Sequence, residues 1–98
     1  MLDIDELANH ARSAVALLKE LGNENRLLVC CCIGDAELSV SQINEKVPLS
    51  QSALSQHLAR LREAGLVATR KESQTVYYRL ASDEALAIIA TLKSIYCP

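Results

Sequence analysis

A mainly α-helical domain carrying one small β-hairpin is what this sequence predicts, and three observations predict it. Apolar residues recur at helical spacing along most of the 98 residues. The composition is 50% hydrophobic yet has no Trp or Phe and only three Tyr, so the core must be built from Leu, Ile, Val and Ala, which favours helices. The β-branched and aromatic residues concentrate in two short runs, Leu66 to Arg70 and Thr75 to Leu80. Five helices and a two-stranded hairpin follow when the chain is read in order.

From Asp5 to Leu21, the apolar positions Leu7, Ala8, Ala11, Ala14, Val15, Leu18 and Leu21 describe an amphipathic helix that Gly22-Asn23 stops. A second helix, Glu24 to Ile33, is apolar almost all round through Leu27, Leu28, Val29 and Cys30-Cys31-Cys32, and is expected in the core before Gly34 ends it. Ser39 is placed as an N-cap for a short helix with Val40, Ile43 and Val47 on one face, and Pro48 terminates it. Ser50 caps the next helix, Gln51 to Ala64, whose apolar set is Ala53, Leu54, Leu58 and Leu61 and whose end is marked by Gly65. The two β-rich runs flank a polar Lys71-Glu72-Ser73-Gln74 turn. After Ser82, with Asp83-Glu84 suited to the positive end of a helix dipole, a last helix runs through Leu86, Ile89, Ala90, Leu92 and Lys93 to Tyr96. No linker or repeat divides the chain, so residues 1–98 are expected to form a single domain.

The order of these elements, two short helices joined by Pro48-Leu49 and followed by a hairpin, is that of a winged helix-turn-helix. The net charge of −2 is unevenly spread. Residues 50 to 80 carry Arg60, Arg62, Arg70, Lys71 and Arg79 against Glu63 and Glu72, whereas the flanking segments are acidic. A localised basic surface of this kind suits contact with nucleic-acid phosphate. Gln51, Ser52, Ser55, Gln56 and His57 fall on the exposed side of the predicted second helix near its N-terminus, where such proteins present side chains to base edges. Arg60 follows along that helix, while Arg70 and Lys71 approach the hairpin tip and suit phosphate contact. Taken singly, each of these is an ordinary solvated residue. It is their coincidence within residues 50 to 80 that favours double-stranded DNA as the partner.

No apolar run approaches the roughly 20 residues that span a bilayer, and the acidic start, Met1-Leu2-Asp3-Ile4-Asp5, is unlike a secretory signal. A cytoplasmic protein without membrane contact, with reduced thiols and no cofactor, is expected. An enzyme is disfavoured, because there is no Gly-rich phosphate loop and His10 and His57 stand near no plausible nucleophile in sequence.

Leu49-Ser50-Gln51-Ser52-Ala53-Leu54-Ser55-Gln56-His57-Leu58, with Leu61-Arg62-Glu63-Ala64-Gly65-Leu66-Val67, resembles the recognition region of ArsR-type repressors. Leu18 to Leu27 resembles that family's helix junction, and Arg70 to Leu80 resembles its wing. The resemblance implies a homodimer whose first and last helices pair across a two-fold axis, binding a DNA operator as a repressor or an antisilencer. Metal-sensing members carry Glu-Leu-Cys-Val-Cys-Asp-Leu where this chain has Glu37-Leu38-Ser39-Val40-Ser41-Gln42-Ile43, and residues 82 to 98 contain no histidine, so neither familiar metal site is retained and no metal is expected. Cys31 and Cys97 instead match the two cysteines of the branch that includes HlyU, BigR and SqrR. That match implies a dithiol switch answering to reactive sulfur species or oxidants, in which bridging Cys31 to Cys97 weakens DNA binding.

Successive helical residues point about 100° apart, so Cys30, Cys31 and Cys32 cannot all face one partner, and core packing is the favoured role for Cys30 and Cys32. Burial is expected to hold Cys31 as the thiol. Two alternatives stay open in the sequence: a metalloid-responsive repressor using the clustered cysteines, and a constitutive antisilencing protein that binds DNA without a ligand. A protein-interaction module, lacking salt-dependent DNA affinity, is a further competitor.

Overall fold

The computed structural model describes residues 3–97. Its elements, in order, are α1 (Ile4–Leu21), α2 (Glu24–Ile33), β1 (Leu38–Ser39), α3 (Val40–Lys46), α4 (Gln51–Glu63), β2 (Val67–Glu72), β3 (Thr75–Leu80) and α5 (Asp83–Tyr96). Helix starts are set by side-chain oxygens that take up otherwise unpaired backbone N–H groups. Asp3 accepts from the N–H of Glu6, Asn23 from Arg26, Ser50 from Ala53 and Ser82 from Ala85. Ser39 forms a full capping box with Gln42 at the head of α3.

Gly65 closes α4. It adopts φ +79°, its N–H donates to the Arg62 carbonyl at 3.0 Å, and the Leu66 N–H reaches back to the Leu61 carbonyl at 3.0 Å. A left-handed residue here reverses the chain so that Leu66 and Val67 enter the core at once.

The hairpin expected as two strands is part of a three-stranded antiparallel sheet in the order β1-β3-β2. Leu38 pairs with Tyr78 and Ser39 with Tyr77. Two residues are too few to show an alternating pattern, and Ser39 also serves as the α3 cap, which hides the strand in the sequence. The turn is shorter than Lys71–Gln74. Lys71 pairs with Val76 and Glu72 with Thr75, leaving only Ser73 and Gln74 to turn, with Ser73 at φ +54°. Charged residues at an exposed strand tip read as a loop although their backbones pair.

The core is aliphatic, as the composition requires. Ile33, Ile43, Leu54, Leu58, Leu61 and Ile89 are its largest fully buried side chains, together with Val29, Val47 and Cys30. Only part of α2 is enclosed: Val29, Cys30 and Ile33 are buried, whereas Leu28 is exposed. Exposed large apolar residues fall mainly on the two terminal helices, at Ile4, Leu7, Val15 and Leu18 of α1 and at Ile95 and Tyr96 of α5. Among the described residues, no helix is long and apolar enough to cross a membrane.

Candidate functional site

Helices α3 and α4 form the helix-turn-helix. Val47 is buried, its N–H closes α3 on the Ile43 carbonyl, and the Asn44 amide donates to the Leu49 carbonyl at 2.7 Å, so the chain between the helices is tied back to α3. Leu54, Leu58 and Leu61 bury one face of α4. That burial obliges Gln51, Ser52, Ser55, Gln56, Arg60 and Arg62 to lie exposed, while His57 is half-buried at the margin. Of the side chains expected to meet base edges, Gln51, Ser52, Ser55 and Gln56 therefore share the solvent face of one helix, and His57 is less exposed than expected.

Arg60 and Arg70, two of the expected DNA-contacting residues, are both engaged with carboxylates. Arg60 donates its Nε to Glu20 Oε1 at 2.8 Å, joining α4 to the end of α1. This hydrogen bond holds the Glu20 carboxyl below the usual carboxylate range, against the opposing effect of burial. Arg70 is gripped more firmly. Its Nε and Nη2 donate to Glu37 Oε1 at 2.9 and 2.7 Å, its Nη1 donates to Glu72 Oε2 at 2.7 Å, and its guanidinium lies 4.8 Å from the centre of the Tyr77 ring. Such a set of contacts anchors the hairpin to the segment before β1. Lys71, Arg62 and Arg79 are exposed as well, so the basic character of residues 50 to 80 is carried to the surface.

The cysteine triplet splits by environment. Cys30 is fully buried, and desolvation pushes its thiol up to about 12. Cys31 and Cys32 are half-buried against the core, and Cys97 is exposed at the end of α5. The Cys31 thiol is also pushed up, chiefly by burial; the Lys93 ammonium opposes this, while Cys97 and Cys32 reinforce it. Cys31 lies on α2 and Cys97 caps the end of α5, and these two helices pack on one another. Sequence reasoning gives Lys93 no role beyond its place in the last helix. Its ammonium lies beside Gly34, where an added Cβ would stand 3.2 Å from Lys93 Nζ. The available signal was its spacing, since Lys93 precedes Cys97 by one helical turn and the Cys97 N–H donates to the Lys93 carbonyl at 2.8 Å. Among the described residues, no group of three or more His, Cys, Asp or Glu side chains is arranged to hold a metal ion.

Sequence reasoning also misses Arg26. Arg26 is the buried charged residue of the core region, at 7% exposure, and it donates Nε to the Glu20 carbonyl at 2.7 Å and Nη2 to the Lys19 carbonyl at 3.2 Å. It satisfies the last carbonyls of α1 from the first turn of α2.

Comparison with known proteins agrees with this architecture. Residues 23–69 match the family model described as "Bacterial regulatory protein, arsR family". The transcriptional activator HlyU of Vibrio cholerae serotype O1 is 50% identical over 96 residues, covering 98% of this chain and 89% of that protein. The structure of reduced HlyU from Vibrio cholerae N16961 superposes with a TM-score of 0.93 at 50% identity, covering 97% of this chain and all of that one, 100%. The homodimeric winged helix-turn-helix DNA-binding domain of Mb0332 from Mycobacterium bovis superposes with a TM-score of 0.78 at 25% identity, covering 95% of this chain and 86% of that one. With its helix-turn-helix, its wing and these relatives, the chain belongs to the ArsR family of winged helix-turn-helix, DNA-binding transcriptional regulators.

Proposed function

We propose that this regulator acts as a homodimer that reads adjacent major grooves with the outer face of α4, and that bridging of Cys31 to Cys97 modulates its affinity for DNA. The observation that carries the switch is the packing of α5 on α2, with Cys31 half-buried on α2 and Cys97 exposed at the cap of α5. HlyU, 50% identical to this chain, has a structure of its reduced form, which supports a redox-sensitive reading here.

The dimer is supported by the apolar residues left exposed on the terminal helices, Leu7, Val15 and Leu18 of α1 and Ile95 and Tyr96 of α5, and by the homodimeric relative from Mycobacterium bovis. Pairing these helices would place residues 1–98 as one domain with its dimer surface at both ends of the chain. In this arrangement Gln51, Ser52, Ser55, Gln56 and His57 meet base edges, and Arg60, Arg70 and Lys71 carry the basic surface beside them.

The chemistry balances with an oxidant of the polysulfide class. With hydrogen disulfide, the two thiols lose two protons and two electrons, one S–S bond forms between Cys31 and Cys97, and the oxidant leaves as two molecules of hydrogen sulfide. A disulfide needs Cα atoms about 4.4 to 6.8 Å apart, so the bridge fixes the end of α5 against α2. Because α2 packs directly on α4, and α5 belongs to the proposed dimer surface, the bridge acts on the spacing of the two recognition helices. That spacing must be about 34 to 36 Å for neighbouring major grooves.

Peptide mapping after polysulfide treatment tests the switch. A bridged peptide pair containing Cys31 and Cys97 is expected, and it disappears in Cys97→Ser. Bridges confined to Cys31-Cys32, or to Cys97 of two molecules, would refute it.

A further inference from the structure

The end of α1 is secured by charge. Arg26 in α2 donates to the carbonyls of Glu20 and Lys19, and its Nε also lies 3.9 Å from the Glu20 carboxylate. That carboxylate accepts from Arg60 Nε at 2.8 Å, across 40 residues of sequence. Three elements meet at one side chain: α1, which bears the exposed apolar row; α2; and α4, which bears the reading face.

The position of Arg60 on α4 gives the contact leverage. Arg60 lies in the last turns, whereas Gln51 and Ser52 stand at the opposite end. At 1.5 Å per residue, Gln51 is about 13 Å along the axis from Arg60, so tilting α4 by about 10° at the Arg60 end moves Gln51 by about 2 Å. Hydrogen bonds to base edges do not survive a displacement of that size.

We propose that Glu20 is a positioning residue for DNA reading: backed by Arg26 and holding Arg60, it fixes the recognition helix relative to the terminal helix that frames the dimer. The proposal rests on the DNA-reading role of α4 set out above. It also reassigns Arg60, whose main service is to α4's orientation rather than to phosphate. The pair is partly open to solvent, with Arg60 57% and Glu20 17% exposed, so its effect is moderate and is doubled by the two copies in a dimer.

The test compares wild type, Glu20→Gln, Arg60→Gln and the double variant by fluorescence anisotropy over a salt series. Two duplexes are used: one enriched by the wild-type protein from a random-sequence pool, and a scrambled duplex of equal length. Glu20→Gln is nearly isosteric, and circular dichroism melting checks that each variant folds. The expected result is a loss of about three- to tenfold on the enriched duplex for either single variant. The double variant loses no more on the enriched duplex than one of them, while Glu20→Gln leaves affinity for the scrambled duplex and the salt slope at wild-type values.

Tighter binding by Glu20→Gln, together with Arg60→Gln weakening both duplexes and lowering the salt slope by about 0.9 per protomer, would overturn the proposal and make Arg60 a phosphate contact that Glu20 masks. Wild-type affinity on the enriched duplex for both single variants would also overturn it. Failure of the wild type to enrich any duplex would overturn the DNA-reading role itself, and the proposal with it.

Discussion

Cys30, Cys31 and Cys32 are adjacent in sequence, yet the structure predicts that they react at very different rates. Cys30 is fully buried, with its thiol pushed up to about 12 against an ordinary value of 9.0. The thiolate is the nucleophile, so at pH 8 this difference alone leaves Cys30 with about a thousandfold less reactive species than an ordinary thiol. Lack of access slows it further. Cys97 is exposed, and Cys31 and Cys32 are half-buried. Timed alkylation of the native protein with iodoacetamide at pH 8, followed by quenching, digestion and fragment-ion mass spectrometry, measures each rate. Trypsin leaves all three triplet cysteines in one peptide, Leu27 to Lys46, so sequence ions must separate them. Cys97 should react first, Cys31 and Cys32 more slowly, and Cys30 last, more than about tenfold more slowly than Cys97, because it is buried and its thiolate is scarce. Equal rates in denaturant provide the control. A Cys30 rate within tenfold of Cys97 in the folded protein would refute the assignment of Cys30 to the core and leave the pairing of Cys31 without its structural basis.

Other consequences follow from the same geometry. Leu58 is fully buried beneath the reading face of α4, so Leu58→Ala should destabilise by about 2 to 5 kcal/mol and lower the melting temperature by about 10 °C or more, read by circular dichroism. Leu18→Glu places a charge on the exposed apolar row of α1 and should yield, in light scattering, the mass of one chain, 10.7 kDa, instead of twice that. Glu37 is held below its ordinary value of 4.5 chiefly by the hydrogen bond from Arg70. A lowered carboxylate favours the folded state fully above its unfolded value, and that contribution fades as pH falls through the lowered value. The wing's attachment should therefore be constant from about pH 6 to 8 and weaken only in acid, below about 4.5, as followed by NMR titration of the Glu37 carboxylate.

Much of the fold is legible in the sequence because its signals are local. Ser39, Ser50 and Ser82 cap helices within three residues of their partners, and Gly65 reverses the chain immediately after α4. The α2 boundaries, Glu24–Ile33, follow directly from such punctuation. What escapes sequence reading is long-range or very short. The two-residue β1 has no periodicity to detect. The contacts Arg60–Glu20 and Arg70–Glu37 span 40 and 33 residues, so nothing local distinguishes these arginines from free basic groups awaiting phosphate. Arg26 reads as a surface residue of a helix start, and only the packing of α1 against α2 buries it. Lys93 reads as a solvated lysine until α5 lies along the end of α2.

The reading of the exposed α4 face and the role given to the thiols meet in one experiment: anisotropy on an enriched duplex at one fixed salt concentration, comparing reduced with polysulfide-treated protein. Fixed salt is required because phosphate contacts make affinity depend steeply on ionic strength. The account predicts tight binding by the reduced protein, weakened binding after treatment, recovery with dithiothreitol, and no response in Cys97→Ser. Equal affinity before and after treatment, with Cys31 and Cys97 shown to be bridged, would contradict it.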